Sequence, residues 1–193
     1  MKCTHYNVFV GINSTSLVPR LGDSFLESEK SEINNFYQSS ILPFVGIQSK
    51  FRLTGNLAFN VESQISFKGQ KRNEIDYKER SLYFDLIPSV DVNLFKGLNF
   101  GIGGYVGIRA HSYFSEKFTV NLKEFQRSDW DYGAMVFVSY AFDRLMLRFS
   151  YFHGLNPVNK RLYNFGGGPS STLVGKQYKV YQIDVGYRIN KDN

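Results

Sequence analysis

The chain has 193 residues, the size of one domain, residues 1–193. Its 21% charged and 42% hydrophobic content excludes the sparse-hydrophobe, high-charge composition of disordered chains. A single cysteine, Cys3, excludes an intramolecular disulfide framework and a Cys-based zinc site, and the net charge of +6 raises nucleic acid as a partner to be tested against where the cations sit. The 18 Phe and 13 Tyr against 5 Pro favour strands, because ring side chains fit a pleated surface. No apolar run approaches the roughly 18 to 20 residues of a spanning helix; Ala134 to Val138 stops at Ser139. Met1 to His5 lacks an apolar signal core, so the expectation is either a cytosolic protein or a mature chain whose export signal has been removed.

Period-2 alternation runs through the chain. Tyr6, Val8, Val10 and Ile12 oppose Asn7, Phe9, Gly11 and Asn13. In Phe44 to Leu53, Val45, Ile47, Phe51 and Leu53 oppose Gly46, Gln48, Lys50 and Arg52. Leu57, Phe59, Val61, Ser63, Ile65 and Phe67 oppose Ala58, Asn60, Glu62, Gln64, Ser66 and Lys68. Leu82, Phe84, Leu86, Val90, Val92 and Leu94 then oppose Asp85, Ser89, Asp91 and Asn93. Phe100, Ile102, Val106 and Ile108 oppose Gly101, Gly103, Gly107, Arg109 and His111. Three further stretches alternate in the same way: Tyr132 to Phe142, Leu145 to Phe152 and Tyr181 to Ile189. Eight strands are predicted.

The connections alternate as well. Short turns fall at Thr54-Gly55-Asn56, Lys96-Gly97-Leu98-Asn99 and Asp143-Arg144, each suited to a tight hairpin. Long polar connections are predicted at Ser14 to Ser40, Gly69 to Arg80, Tyr113 to Trp130 and Asn156 to Lys179. A short helical turn is expected around Ser24 to Phe36, and a mobile loop tip at Gly166 to Ser171. Every long connection therefore lies at one end of a meander, and both termini lie at the other.

Eight antiparallel strands that close on themselves have no edge, the condition for a sheet to cross a bilayer with its backbone satisfied. Strands of about ten residues, tilted by about 40°, cover the ~25 Å apolar band of an outer-membrane barrel. The competing arrangement is a soluble lipocalin-type barrel with its apolar face inward. The polar face decides between them. Its in-strand charges are of both signs, Glu62, Asp85, Asp91 and Asp184 with Arg109, Arg148 and Arg188, beside Gly, Ser, Asn and Gln. Small residues with opposite charges are what the narrow lumen of an eight-stranded barrel accommodates, and a charge buried there must be paired. Most lysines are expected in loops, turns or strand ends: Lys30, Lys71, Lys78, Lys96, Lys117, Lys123, Lys160, Lys176 and Lys191. Tyrosines near strand ends, such as Tyr6, Tyr132 and Tyr187, suit interfacial girdles.

Several segments resemble the PorT-like outer-membrane β-barrel family, the outer membrane protein beta-barrel domain group of porin-family proteins. Val61-Glu62-Ser63-Gln64-Ile65-Ser66-Phe67-Lys68-Gly69 is similar to that family's Glu-x-x-x-Ser-x-Lys-Gly strand end, and Leu82 to Pro88 to its Tyr-Leu-Glu-Ile-Pro strand, with Asp85 in place of Glu. Gly101 to Gly107 resembles a Gly-x-Gly-Pro-Tyr-x-Gly strand, with Gly104 in place of Pro; Asp131-Tyr132-Gly133 and Tyr151 to Leu155 resemble the opening and close of the next hairpin. Asp184 to Ile189 is only partly similar to a C-terminal barrel-assembly signal. The resemblance implies fold and bacterial outer-membrane location, and no shared catalytic chemistry.

The remaining chemistry is sparse. His5, His111 and His153 come from separate segments, and small outer-membrane barrels include lipid A deacylases and palmitoyltransferases that use a histidine. His111 has inward parity and His153 the lipid-facing parity of Tyr151, and neither has a serine two residues along its face, so both are expected as polar rim residues. Asp129 and Asp131 are expected in a solvated loop and no metal set has ligand spacing; Gly101-x-Gly103 lies inside a strand, so it is no dinucleotide fingerprint. The expectation is an all-β, eight-stranded antiparallel up-and-down transmembrane barrel with short periplasmic turns and four longer extracellular loops. Its lumen is filled by a network of Glu62, Asp85, Asp91, Arg109, Arg148, Asp184 and Arg188. No catalytic, cofactor or metal residue is expected. The expected partners are outer-membrane lipid and envelope proteins met by the loops, with no nucleic acid. A narrow pore and a lipid-modifying enzyme are the alternative functions.

Overall fold

The computed structural model describes residues 3–19, 37–72, 77–115, 125–164 and 171–189. Eight long strands form the wall: β1 (Cys3–Pro19), β2 (Tyr37–Arg52), β3 (Leu57–Arg72), β4 (Tyr77–Phe95), β5 (Leu98–Ser115), β7 (Trp130–Phe142), β8 (Leu145–Gly154) and β10 (Ser171–Arg188). Each pairs antiparallel with the next, and β1 pairs with β10 from Asn7↔Arg188 to Pro19↔Lys176, which closes the barrel. No helix occurs among the described residues; the helical turn expected at Ser24 to Phe36 lies outside them, as does the tip expected at Gly166 to Ser171 except for Ser171, which opens β10.

The apolar rows face outward. Val10, Ile12, Ile41, Ile47, Ile102, Leu147 and Ile183 are all at least half exposed, whereas Asn13, Asn60, Glu62, Ser81 and Gln182 on the opposite face are buried. An inside-out distribution of this kind is stable only when the exterior meets hydrocarbon instead of water. Aromatic residues cluster at the two edges of the band, with Tyr6, Tyr140 and Tyr187 at the short-turn end and Trp130, Tyr132, Tyr151 and Tyr181 at the other.

The three short turns stand where the glycine and polar residues put them. Lys96 and Gly97 both have positive φ, 32° and 89°, the geometry that matches the twist of the flanking strands in a two-residue hairpin. Asp143, at φ 51°, makes the corresponding turn between β7 and β8.

At the opposite end the strands run further than the hydrophobic pattern indicates. The expected loop at Gly69 to Arg80 is mostly ladder, with pairing continuous from Phe67↔Leu82 to Arg72↔Tyr77. Backbone hydrogen bonds need no apolar side chain, and Gln70, Glu79 and Ser81 simply continue the inward row. Much of the expected loop at Asn156 to Lys179 is likewise strand: β9 (Asn159–Asn164) pairs with the first part of β10, and β6 (Phe125–Arg127) pairs with β9. Lys176, expected in a loop, is buried in β10.

Register shifts occur at several points, and one of them alters the direction of a histidine. Between β4 and β5 the register steps from Leu82↔His111 to Tyr83↔Arg109, leaving Ala110 as a bulge. The extra residue reverses the parity of everything beyond it. His111, expected to face inward, is instead exposed on the outer surface, its ring 4.5 Å from that of Tyr113.

Candidate functional site

The lumen is crossed by two buried ion clusters. In the first, Arg148 on β8 donates from Nε to Asp184 Oδ2 on β10 (2.9 Å) and from Nη2 to Glu62 Oε1 on β3 (3.1 Å), with a second contact from Nη1 to Glu62. Arg148 and Asp184 are cross-strand partners, so the sheet register fixes that contact, while Glu62 reaches across the interior. The guanidinium also lies 4.7 Å from the Phe9 ring centroid and 5.9 Å from that of Phe137. A planar, delocalised cation suits this setting, with in-plane donors for carboxylates and an apolar face for rings.

The second cluster lies toward the loop end: Lys68 stands six residues beyond Glu62 on β3, about 20 Å along an extended backbone, and reaches back to Asp85, which pairs with Gln64. Lys68 Nζ donates to Asp85 Oδ1 (2.9 Å) and Asp131 Oδ2 (2.8 Å). Its ammonium sits 4.6 Å and 5.0 Å from the Tyr83 and Tyr105 ring centroids. Each cluster sets one cation against two carboxylates, and in the second cluster neutral donors supply the difference. Asp85 Oδ2 accepts from Ser66 Oγ (2.6 Å) and Gln64 Nε2 (3.1 Å), and Asp131 Oδ1 accepts from Tyr105 Oη (3.0 Å). Buried carboxylates are tolerated when lone pairs are satisfied in this way.

Aromatic rings fill the space around the clusters. Tyr83 and Tyr178 meet edge to face at 5.9 Å, and Tyr105 and Phe152 at 5.4 Å. Inward glycines make room for them: a Cβ on Gly101 would stand 2.3 Å from the Phe137 ring, and one on Gly107 would stand 2.1 Å from Asp85 Oδ1. Any side chain at these two positions would displace the filling of the lumen.

Below the Arg148 cluster the interior opens into a cup of about 300 Å³ at the short-turn end, lined among others by Asn7, Gln48, Asn93 and Asn99. Lys50 and Asp91 pair here at 2.7 Å, and Arg188 lines the same cup.

The expected network is therefore divided by position. Glu62, Arg148 and Asp184 come together in one cluster; Asp85 belongs to the other; Asp91 and Arg188 stand in the cup. Arg109 departs from expectation: it binds the Ser128 carbonyl and Asp129 Oδ1 (3.3 Å) at the loop-side rim, where Asp129 is 79% exposed. Asp131, expected in a solvated loop, is fully buried as the second residue of β7. Among the described residues Lys50, Lys68, Glu79, Asp131 and Lys176 are interior charges absent from the expected network. Lys68 shares the inward parity of Ser66, two residues earlier on β3.

The other histidine of interest, His153, faces outward with Tyr151 Oη 3.1 Å from its Nδ1 and Gln177 Nε2 3.3 Å from its Nε2. Among the described residues no group of three or more His, Cys, Asp or Glu side chains could hold a metal ion.

No protein-family model and no curated protein matches the chain. Solved structures do. The outer membrane protein OprG from Pseudomonas aeruginosa superimposes with a TM-score of 0.52 at 10% identity, covering 98% of both chains. The Neisserial surface protein A gives 0.51 at 14% identity, covering 97% of this chain and 99% of that one. With the closed wall, the apolar exterior and these likenesses, the fold is that of an eight-stranded outer-membrane β-barrel.

Proposed function

We propose that this is a PorT-like protein of the bacterial outer membrane that acts as a sealed anchor. The barrel holds the chain in lipid, and the strand ends and loops at the long-connection end meet other envelope components. The observation that carries the reading is the pair of ion clusters: Lys68 and Arg148, each almost wholly buried, tie β3 to the opposite wall at two levels and leave aromatic rings around them. A lumen filled in this way serves anchorage better than solute flow. Liposomes carrying the purified barrel should swell in isotonic small sugars and amino acids no faster than empty liposomes; rapid swelling would replace the anchor by a pore.

The cup of about 300 Å³ favours the narrow pore as a second reading, since it opens the interior from the short-turn end as far as Arg148. It would require the Lys68 and Arg148 contacts to part. His111 and His153 are held by other contacts: His111 meets Tyr113 edge to face, and His153 is engaged by Tyr151 and Gln177. Membrane lipid A should accordingly keep its mass whether His111 and His153 are intact or replaced by alanine.

A further inference from the structure

The Arg148 cluster is one positive charge short. Its guanidinium binds both oxygens of Glu62 and the Oδ2 of Asp184, so two carboxylates stand against one cation. In the Lys68 cluster the same imbalance is met by Ser66, Gln64 and Tyr105, which donate to the carboxylates. Among the described residues Asp184 has no such help: its Oδ1 is buried and has no hydrogen-bond partner. An unmatched charge and an unbonded carboxylate oxygen are each costly away from water, and here they fall on one side chain.

The residues beside Asp184 deepen the deficit. Gln182 lies two residues nearer the loop end on the inward face of β10, and its direct cross-strand partners are Ser150 on β8 and Asn13 on β1. Partners of this kind hold their Cβ atoms about 5 Å apart. All three are buried, and Gln182 Oε1, Ser150 Oγ and Asn13 Oδ1 have no hydrogen-bond partner either; the Asn13 amide directs its donor to the Phe67 carbonyl at 3.0 Å. Other buried side chains also carry an unbonded polar atom, Asn60 and Gln64 among them. The set around Asp184 is distinguished by its place, four oxygens on three adjacent strands beside the carboxylate that lacks a counter-charge. Oxygen acceptors without donors are the chemistry that replaces the hydration shell of a hard cation.

We propose that the lumen binds one monovalent alkali cation at Asp184 Oδ1, with Gln182 Oε1, Asn13 Oδ1 and Ser150 Oγ as its neutral oxygen ligands. A single charge brings Glu62, Asp184 and Arg148 to neutrality, whereas a divalent ion would leave a buried positive excess. One carboxylate with two amides and a hydroxyl is a different donor set from the clusters of His, Cys, Asp and Glu that hold zinc and other transition metals. The ion sits where the first strand meets the last, since Asn13 on β1 pairs with Gln182 on β10, and it therefore clasps the closure of the barrel. Arg148 lines the cup and stands between it and this layer, so the ion is taken up as the barrel folds and exchanges slowly afterwards.

The test follows the folding equilibrium of the full barrel in urea and lipid vesicles at fixed ionic strength, with sodium chloride exchanged for N-methylglucamine chloride. Each tenfold rise in sodium above its dissociation constant should raise the ratio of folded to unfolded barrel about tenfold, the slope of one bound ion. Asp184→Asn should abolish that slope. Gln182→Met/Ser150→Ala keeps every charge in place and should flatten the slope over the same sodium range, which carries the test if Asp184→Asn does not fold. Lys50→Met, in the cup, should retain the full slope. Crystals grown from rubidium chloride should show an anomalous difference peak beside Asp184. A wild-type equilibrium indifferent to sodium and to potassium overturns the site, leaving water to serve these oxygens, or a proton if stability rises as the pH falls. A steeper response to calcium than to sodium overturns the single charge, and a wild-type slope in Gln182→Met/Ser150→Ala overturns the ligand set.

Discussion

Lys68 and Lys50 both point into the barrel and both meet an aspartate, yet the Lys68 side chain is 3% exposed and the Lys50 side chain 19% exposed. The difference follows from their neighbours. Tyr83, Tyr105 and Tyr178 close around Lys68, whereas Lys50 lines the cup with Asn7, Gln48 and Asn93, which bind water instead of excluding it. One ion pair is thus part of a dry seal and the other part of a wet vestibule. Side chains that look equivalent in the alternating pattern acquire different energetic weight from the rings placed beside them.

The comparison can be broken by removing cations one at a time. Arg148→Met should cost most, about 3 to 5 kcal/mol, because it leaves Glu62 and Asp184 buried without their cation. Lys68→Met should cost about 3 kcal/mol, at the lower end of that range, since Asp85 keeps Ser66 and Gln64 and Asp131 keeps Tyr105. Gly101→Ala, which drives a methyl into the Phe137 ring, should cost about 1 to 3 kcal/mol through overpacking. Lys50→Met should cost no more than about 1 kcal/mol, as expected of a hydrated pair. Urea unfolding of the four variants in lipid vesicles, followed by the shift between folded and heat-denatured gel bands, gives the order. Equal losses for Lys50 and Lys68 would erase the distinction between seal and vestibule.

Much of the barrel is legible in the chain, because period-2 alternation states the two faces and the turn residues Lys96-Gly97 and Asp143-Arg144 state where hairpins close. The direction of the apolar face follows from charges such as Glu62, Arg148 and Asp184 on the other face, which only an enclosed, mutually paired setting accommodates. Strand length above the membrane is less legible. Lys71, Lys78 and Arg80 are polar in sequence whether they sit in a loop or on a ladder, and hydrogen bonding between backbones decides the matter. The bulge at Ala110 leaves no compositional mark, so the outward turn of His111 depends on pairing with β4. Asp131 illustrates a different limit. Its neighbours Ser128 and Asp129 belong to a loop, and pairing with Gly107 on β5 together with its bonds to Tyr105 and to Lys68, 63 positions earlier in the chain, draws it inside.

The central claim, that the lumen is sealed by the Lys68 and Arg148 clusters, is tested most directly by ion conductance of the purified barrel in a planar lipid bilayer. The sealed lumen predicts a flat current for the wild type and discrete steps once Lys68 and Arg148 are both replaced by alanine in a background that still inserts. Stepwise conductance from the wild-type barrel would contradict it.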